Sequence, residues 1–341
     1  MQSLTAKIYK MNVVHVILTG GVGSRLWPLS RKQSPKQYLD LFNGKSLFEM
    51  TVQRNQKIAD SVVIVGNKDN THLSHTAMQN CGLPYTNIVE ATPRNTAAAI
   101  AFAAFAVQPD DILIVTPSDH MISGDEEYEE AIHAGVQKAK EGYIVTFGIK
   151  PIRPETGYGY IEYDNDHVKS FREKPNQDTA EDFIERGNFL WNSGMFCFQA
   201  SAFLQELKQY EPKVYDYAKN AWDKSSDGIL DESLSLEIPS ISVDYAVMER
   251  SKQIRVISTS FKWSDLGSFE ALYDYFVDNG YPKDDNGNIV IGTEIFTGFV
   301  GLKNTIFVYT KDAFLIIQKE KSQDVKKIYN MLDKHQSKLL D

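Results

Sequence analysis

Short apolar runs alternate with amphipathic stretches from Val13 to about Ile149. The runs are nearly continuous in Val and Ile, which is typical of strands covered on both faces. They are VVHVIL, SVVIVG, TNIVEA, DILIVTPSD and YIVTFGI, and the helical stretches between them are SLFEMTVQRNQKIA, NTAAAIAFAAFAV and GDEEYEEAIHAGVQKAKEG. Ser46 and Glu49 have the spacing of a capping box at the first helix. This alternation predicts an α/β fold with a doubly wound, mostly parallel, Rossmann-like sheet.

The pattern changes in the second half of the chain. TGYGYIEYD, HVKSFREKP and FLWNSGMFCF predict further strands, and a helix from Ser268 is expected to end near Asn279-Gly280. Beyond YPKDDNGN, short strands separated by Gly and Asn predict a small β-rich domain. An amphipathic helix follows, with Val325, Ile328, Leu332 and Leu339 on one face.

These changes divide the chain into three parts. We expect a flexible tail over residues 1–11, a main domain over 12–280, and a C-terminal β-rich domain with a terminal helix over 281–341.

Composition narrows the class of protein. Hydrophobic residues make up 42% and charged residues 24%, as in ordinary globular proteins. The net charge, 36 − 45 = −9, disfavours a nucleic-acid surface, so a polyanionic ligand needs a local basic patch or a metal. Cys81 and Cys197 form neither a disulfide framework nor a metal spacing. With no apolar signal core and no membrane-length run, we expect a cytoplasmic protein without nucleic-acid or membrane partners.

The first apolar run leads into a glycine-rich segment, HVILTGGVGSRLWPLSRKQSPKQYL, residues 15–39. Ligands of open parallel sheets bind at the carboxyl ends of the strands, where this segment is expected. Gly20, Gly21 and Gly23 can adopt positive φ and bring bare backbone N–H groups to phosphate oxygens. On the glycines alone, a strained turn without a ligand remains an alternative.

Two other phosphate-binding motifs fit the segment poorly. A dinucleotide fingerprint needs G-x-G-x-x-G and an acid after the second strand, whereas the chain has G-G-x-G-x-R and then VGNKD. This argues against a NAD-dependent oxidoreductase. Gly44-Lys45-Ser46 matches the end of a P-loop, but Leu39 occupies the place of its first glycine and no strand leads into it.

Basic residues cluster around the glycines of this acidic chain. Arg25 can add a forked donor to the backbone N–H groups, and Lys36 a point charge on the same polyphosphate. For Arg31 and Lys32 we expect solvated surface charges.

Two aspartates follow strand-like runs. Asp119 in TPSDHM lies just past the apolar ILIV run, and Asp265 lies in WSDLG. A lone aspartate at such a place is more often a helix cap or turn former than a ligand-binding residue. His120 is adjacent to Asp119, but a single histidine gives no soft-metal spacing.

Together these blocks resemble the sugar-1-phosphate nucleotidyltransferases. LTGGVGSRLWPLSR and PKQYL are similar to the signature of the mannose-1-phosphate guanylyltransferase branch. RNTAAAIAFAA, VTPSDHMI, TGYGYIE, FREKP, LWNSGMF, SVDYAVMER, WSDLGS and TKDAFLIIQKEKSQDVKKI resemble family blocks in the same order. The resemblance extends from about Val13 to Ile328, and it implies the nucleotidyltransferase fold with a β-helix-like C-terminal domain.

The implied reaction is that of GTP with mannose 1-phosphate, giving GDP-mannose and pyrophosphate. A sugar-phosphate oxygen would attack the α-phosphorus in line, so that positioning and charge neutralisation carry catalysis. By resemblance, Asp119 and Asp265 hold Mg²⁺, which often uses only one or two carboxylates. The implied catalytic residues are Arg25, Lys36, Asp119 and Asp265.

The resemblance also implies the two substrate subsites. The nucleotide-binding residues would be Leu18, Gly20, Gly21, Gly23, Arg25, Arg94, Asn95, Pro117, Ser118 and Asp119, with Arg94 and Asn95 at a helix N-terminus. The sugar-phosphate residues would be Gly157, Tyr158, Glu173, Lys174, Asn192, Gly194 and Asp244. Glu173 and Lys174 are equally well explained as a surface ion pair, and Asp244 as a helix cap.

Several alternatives remain open. The same mechanism could serve another NTP or another sugar 1-phosphate, such as a heptose, and a non-catalytic sugar-nucleotide sensor could keep the fold. A homodimer through the C-terminal domain is possible.

Overall fold

The computed structural model describes residues 10–42 and 44–341. Residues 1–9 of the predicted tail lie outside the described residues. Among the described helices, none combines the length and apolar composition required to span a bilayer.

The elements below are numbered in chain order. The strands are β1 (Val13–Thr19), β2 (Ser61–Asn67), β3 (Tyr85–Glu90), β4 (Ile112–Pro117), β5 (Met121–Ser123), β6 (Ile144–Ile149), β7 (Tyr160–Asp164), β8 (His167–Arg172), β9 (Phe189–Gln199), β10 (Ile254–Thr259), β11 (Lys262–Ser264), β12 (Ile289–Ile291), β13 (Thr305–Tyr309) and β14 (Phe314–Gln318). The helices are α1 (Leu47–Asn55), α2 (Thr71–Cys81), α3 (Asn95–Phe105), α4 (Asp125–Lys140), α5 (Gln177–Arg186), α6 (Ala200–Tyr210), α7 (Pro212–Asp223), α8 (Glu232–Glu237), α9 (Phe269–Asp278) and α10 (Val325–Lys334).

The main sheet has the strand order β3-β2-β1-β4-β9-β6-β10-β8-β7. Strands β3, β2, β1 and β4 are mutually parallel, as are β6 and β10. Strand β9 runs antiparallel to both β4 and β6, so the sheet is mixed at its centre. The predicted α/β architecture is confirmed, and the antiparallel pairings of β9 with β4, β6 and β7 and of β8 with β10 and β7 are details that the apolar pattern did not predict.

Helices cover both faces of the sheet, as the continuous apolar runs predict. Val14 and Val16 of β1 pack in one core with the Ala-rich α3, whereas Ile17 packs on the other face with Phe48 of α1. Every residue from 97 to 104 of α3 is buried, since the helix lies between the sheet and α6 and α7.

Local signals account for the helix starts. The capping box is present, with the Ser46 hydroxyl accepting from the Glu49 backbone N–H and Glu49 accepting from the Ser46 backbone N–H. Ser268 caps α9 through the Ala271 N–H at 3.3 Å. Helix α2 was not predicted, because its sequence THLSHTAMQNC has only a weak apolar stripe.

The C-terminal segment packs against the glycine-rich segment. Strands β12, β13 and β14 form a small sheet whose core continues into α9 and Trp27. The Trp27 indole N–H donates to the Leu339 carbonyl at 2.9 Å, and Lys32 pairs with Asp333 at 3.0 Å.

The expectation that Arg31 is a solvated charge is wrong. Its side chain is buried under the C-terminal domain, where it pairs with Asp312 at 2.8 Å and donates to the Pro28 carbonyl at 2.8 Å. A charge at this site needs a partner because a buried, unpaired guanidinium would be costly.

Candidate active site

The loop after β1 is shaped by its glycines. Gly21 and Gly23 have φ values of 80° and 76°, in the left-handed region that side chains disfavour. A Cβ on Gly23 would lie 2.7 Å from the Lys36 Cβ, whereas Gly20 and Gly21 face open space. The loop therefore packs on Lys36 and leaves bare backbone exposed to a ligand.

Sheet topology brings Asp119 next to this loop. Strands β1 and β4 are parallel neighbours, so their carboxyl ends lie side by side at one edge of the sheet. Asp119 lies two residues beyond Pro117, the last residue of β4, and lines one cavity with Gly21 and Gly23 of the loop.

A two-stranded ribbon brings Asp265 to the same place. Strands β5 and β11 pair antiparallel, with Met121 opposite Ser264. This register sets Asp265 opposite His120, immediately beside Asp119.

Lys36 bridges the two aspartates. Its ammonium lies 2.7 Å from the Asp119 carboxylate and donates to the Asp265 main-chain carbonyl at 2.6 Å. Burial by itself would raise the pKa of Asp119, but the charge and hydrogen bond of Lys36, together with His120, lower it below its usual value. Asp119 is therefore ionised at neutral pH.

Asp265 is fixed by two donors. Its Oδ1 accepts from the Tyr158 hydroxyl at 2.8 Å and from the Gly267 N–H at 3.1 Å. Burial and the Asp265 charge both raise the pKa of Tyr158, so the phenol remains a donor. Asp265 is thus a turn former, as one interpretation held, and also faces the glycine loop.

His120 completes this edge, although no role was predicted for it. Its Nδ1 lies 3.2 Å from the Trp263 indole nitrogen, so Nδ1 accepts and a neutral ring carries its proton on Nε2. Burial is the main cause that lowers the pKa of His120, which favours the neutral ring. Nε2 lies 3.7 Å from the Asp119 carboxylate.

These residues line a cavity of about 460 Å³, named here the phosphate cavity. Of the predicted residues, it contains Gly21, Gly23, Arg25, Lys36, Asp119 and Asp265. Tyr329 of α10 also lines it, and the terminal helix had not been predicted to reach the site.

A second group, named here the sugar cluster, consists of Glu173, Lys174, Asn192 and Asp244. The Lys174 ammonium pairs with Glu173 at 2.7 Å, and the Asn192 amide donates to Asp244 at 3.0 Å. A Cβ on Gly159 would lie 2.6 Å from the Glu173 carboxylate, so the backbone passes close to this cluster.

Asp244 lies inside a short π-helical segment, Asp244–Met248, rather than at a helix cap. Burial, reinforced by the nearby charge of Glu173, raises the pKa of Asp244 to about 6. Such π-helical segments frequently occur at functional sites.

Other predicted residues lie near these groups without lining the phosphate cavity. The Gly157 N–H donates to the Glu155 carboxylate at 3.0 Å, and a Cβ built on Gly194 would lie 3.8 Å from the His120 ring. Ser118 is buried and its N–H donates to the Leu18 carbonyl, directly after Pro117.

The predicted nucleotide residues of α3 lie outside this cavity as well. Arg94 donates from Nε to the Ile238 carbonyl at 2.6 Å, and Asn95 has φ 71° with its side chain accepting from the Thr96 N–H. Neither residue is among those lining the phosphate cavity.

Glu90 was missed by the sequence reasoning. It ends β3 at the carboxyl edge of the sheet, is buried, and its Oε1 has no hydrogen-bond partner in the described residues. Burial raises the pKa of Glu90 to about 7. The sequence does contain a signal for this residue, because Glu90 is an acidic residue at the end of the apolar run TNIVEA.

The donor set suits a hard divalent cation. Asp119 and Asp265 offer carboxylate oxygens to one cavity, and the positive charge beside them is the Lys36 ammonium. Within the described residues no group of three or more His, Cys, Asp or Glu side chains forms a metal cluster. A cation here would therefore complete its shell with phosphate and water oxygens, as Mg²⁺ commonly does.

Residues 14–280 match the model of the nucleotidyl transferase family, and residues 284–332 match that of the mannose-phosphate isomerase/GMP-like beta-helix domain. The chain belongs to the nucleotidyl transferase family. As a nucleotidyltransferase, it carries the loop and acidic residues of its site within the matched region.

Its relatives include proteins named mannose-1-phosphate guanylyltransferase. This nucleotidyltransferase is 38% identical to a mannose-1-phosphate guanylyltransferase of Klebsiella pneumoniae, over 94% of the chain and 74% of the relative. It is 37% identical to the alginate biosynthesis protein AlgA of Pseudomonas putida, over 94% of the chain and 72% of the relative. A crystal structure of a mannose-1-phosphate geranyltransferase from Thermus thermophilus has a TM-score of 0.81 and 27% identity, covering 95% of the chain and all of that structure.

Proposed function

We propose that this nucleotidyltransferase transfers GMP from GTP to α-D-mannose 1-phosphate, giving GDP-mannose and pyrophosphate. The observation that carries the proposal is the buried Lys36 bridging Asp119 and Asp265 beneath an open glycine loop. The mannose-1-phosphate guanylyltransferase relatives, at 37–38% identity, support the choice of substrates.

In the proposed mechanism the sugar phosphate is the nucleophile. An oxygen of the phosphate monoester forms a bond to the α-phosphorus, the bond to the bridging oxygen breaks, and pyrophosphate leaves with the electron pair. No side-chain nucleophile is needed, so the protein acts by positioning and by charge neutralisation.

Each group of residues then has a role. The bare backbone of Gly20, Gly21 and Gly23, with Arg25 and Lys36, binds the triphosphate. Asp119 and Asp265 would hold Mg²⁺, which would supply positive charge to the phosphates. Tyr158 and Gly267 orient Asp265 so that its second oxygen is available.

The sugar cluster would bind mannose 1-phosphate. Lys174 is exposed and can reach the sugar phosphate, while Glu173, Asn192 and Asp244 offer acceptors and donors for hydroxyls. Leu18, Arg94, Asn95, Pro117 and Ser118 are proposed to contact the nucleotide, and Gly157 and Gly194 the sugar phosphate, because they lie at the same edge of the sheet.

A substrate matrix tests the proposal. Purified protein with Mg²⁺ is offered each NTP in turn with mannose 1-phosphate, and GTP with a set of other sugar 1-phosphates that includes a heptose. We expect the fastest pyrophosphate release with GTP and mannose 1-phosphate. A preference for another NTP or sugar 1-phosphate would show that the proposed substrates are wrong. If no pair of substrates releases pyrophosphate, the proposal that the protein catalyses this reaction is refuted.

The metal is tested in the same assay. Activity should disappear with a chelator and return with Mg²⁺. If another divalent ion restores turnover and Mg²⁺ does not, the metal of the active site is that ion and not Mg²⁺.

Location and assembly are separate proposals. We propose a cytoplasmic enzyme, supported by the free Cys81 and Cys197 and by its nucleotide substrate. We also propose a homodimer through the C-terminal domain, where Phe296 and Val300 are more than nine-tenths exposed. A molar mass from light scattering equal to one chain would refute the dimer.

A further inference from the structure

The C-terminal domain forms part of the phosphate cavity. Tyr329 of α10 lines this cavity together with Arg25 and Lys36. Helix α10 and the turn before it, Lys319–Asp324, both pack against the turn Ser24–Leu26 that follows the glycine loop. One wall of the cavity therefore comes from a part of the chain some three hundred residues away in sequence.

Arg25 is held by this distant segment. Its Nη1 donates to the Gln323 side-chain oxygen at 2.9 Å, and no carboxylate of the described residues lies within ion-pair distance of Arg25. An amide oxygen takes one of the five guanidinium donors and adds no negative charge. Arg25 therefore keeps its full charge and its remaining donors for an anion in the cavity.

The position of this wall identifies the part of the substrate it would meet. The residues of the sugar cluster do not line the phosphate cavity, whereas the glycine loop, Arg25 and Tyr329 do. In an in-line displacement the leaving group departs from the side opposite the nucleophile. With the proposed direction of displacement, the wall built by Arg25 and Tyr329 would face the leaving pyrophosphate.

We propose that the C-terminal domain completes the pyrophosphate-binding half of the active site. Gln323 is a positioning residue that fixes the Arg25 guanidinium over the cavity, and the Tyr329 hydroxyl donates a hydrogen bond to a pyrophosphate oxygen. The inference rests on the proposed function for the direction of displacement. Burial is the main cause that raises the pKa of Tyr329, so the phenol is protonated and available as a donor.

The test uses inorganic pyrophosphate with Mg²⁺ as the probe, bound to the full chain and measured by calorimetry. Gln323→Glu places a carboxylate against Arg25 without changing side-chain size, and Tyr329→Phe removes only the hydroxyl. We expect each variant to raise the pyrophosphate Kd by roughly three- to tenfold, the scale of one hydrogen bond or exposed ion pair. The Kd for mannose 1-phosphate should not change.

Two controls distinguish a role in pyrophosphate binding from a general effect on the stability of the protein. Tyr309 lies in β13 of the same domain and does not line the cavity. Tyr309→Phe should therefore leave the Kd values for pyrophosphate and for mannose 1-phosphate unchanged. Thermal unfolding of all variants should coincide with that of the wild type.

Pyrophosphate affinities of Gln323→Glu and Tyr329→Phe that equal the wild-type value would overturn the inference, as would a parallel loss of mannose 1-phosphate binding. Since pyrophosphate binding is measured without nucleotide or sugar, the pyrophosphate Kd does not depend on which NTP or sugar phosphate the enzyme prefers, and only the comparison with mannose 1-phosphate rests on the proposed sugar.

Discussion

The phosphate cavity and the sugar cluster each combine two carboxylates with one lysine, in different surroundings, and the cavity also contains Arg25. The Lys36 side chain is 7% exposed and binds the Asp119 carboxylate and the Asp265 main-chain carbonyl, whereas the Lys174 side chain is 62% exposed and pairs with Glu173. Burial would raise the pKa of both Asp119 and Asp244, but Lys36 lowers the pKa of Asp119 below its usual value, whereas the pKa of Asp244 is raised by burial and by the charge of Glu173 to about 6.

This difference shows that the position of the lysine affects the protonation state of the neighbouring carboxylates, and therefore which ligands they can bind. A carboxylate paired with a buried ammonium, as Asp119 is, stays ionised and suits a divalent metal. A buried carboxylate without a direct cation is close to protonation and suits hydrogen bonds to hydroxyl groups. Substitutions in the two groups test whether they differ in this way.

The largest effect is expected from Asp265→Asn. An amide keeps the shape and the hydrogen bond from Tyr158 but removes the charge that would hold the metal, so kcat should fall on the order of 10³-fold. Steady-state kinetics measure this, with Asp278→Asn, on the exposed end of α9, as the matched control. Wild-type turnover in Asp265→Asn would remove this residue from the metal site.

The two lysines should differ in size of effect. Lys36→Ala should lower kcat/KM for GTP by about 10²-fold, because it removes a buried charge from the triphosphate and leaves Asp119 without its partner. Lys174→Ala should raise the KM for mannose 1-phosphate only about tenfold, since an exposed cation is screened by water. Equal losses on both substrates in both variants would contradict the comparison.

Glu90 extends the comparison to a buried acid that has no lysine partner. Its pKa of about 7 exceeds the usual 4.5, so the folded state binds more protons than the unfolded state between these values. Stability should therefore fall as pH rises through this window. At pH 8 we expect Glu90→Gln to increase the free energy of unfolding by about 2 kcal/mol, which is below the roughly 3.4 kcal/mol that the full pKa difference would allow.

Urea unfolding at pH 4 and at pH 8 measures the Glu90 effect, which should vanish at pH 4, where the carboxyl is largely protonated in both states. The exposed Glu185→Gln on α5 is the control. A stability gain that is the same at both pH values would exclude titration as its cause.

The smallest effect concerns Asp244. If its carboxylate accepts sugar hydroxyls, protonation below about pH 6 should raise the KM for mannose 1-phosphate, by roughly tenfold for one lost hydrogen bond. Because the sugar phosphate also titrates near pH 6, the profile must be compared with that of Asp244→Asn. Identical pH profiles of the wild type and the variant would show that Asp244 does not titrate in binding.

The local parts of the site could be predicted from sequence. The apolar run before Gly20 and the run before Asp119 indicated parallel strands, and their carboxyl ends meet at one sheet edge. Glu90 also had a visible signal, as an acid closing a predicted strand.

Other features depend on contacts that no local pattern contains. Asp265 reaches Asp119 through a ribbon of two three-residue strands, too short to predict by alternation. Arg31 is buried and Arg25 is oriented by segments that begin some 280 residues later, so their environment depends on tertiary packing alone. The resemblance to a family named the residues but not these contacts.

The ribbon of β5 and β11 has a consequence for how this chain can vary. Successive residues of a strand point to opposite faces, so the loss or gain of one residue between Phe261 and Ser264 would turn Asp265 away from the cavity and present Leu266 or Ser264 in its place. The spacing of this segment is thus as tightly constrained as the acid itself. A length change here would separate the carboxylates of Asp119 and Asp265 although the sequence still contains both aspartates.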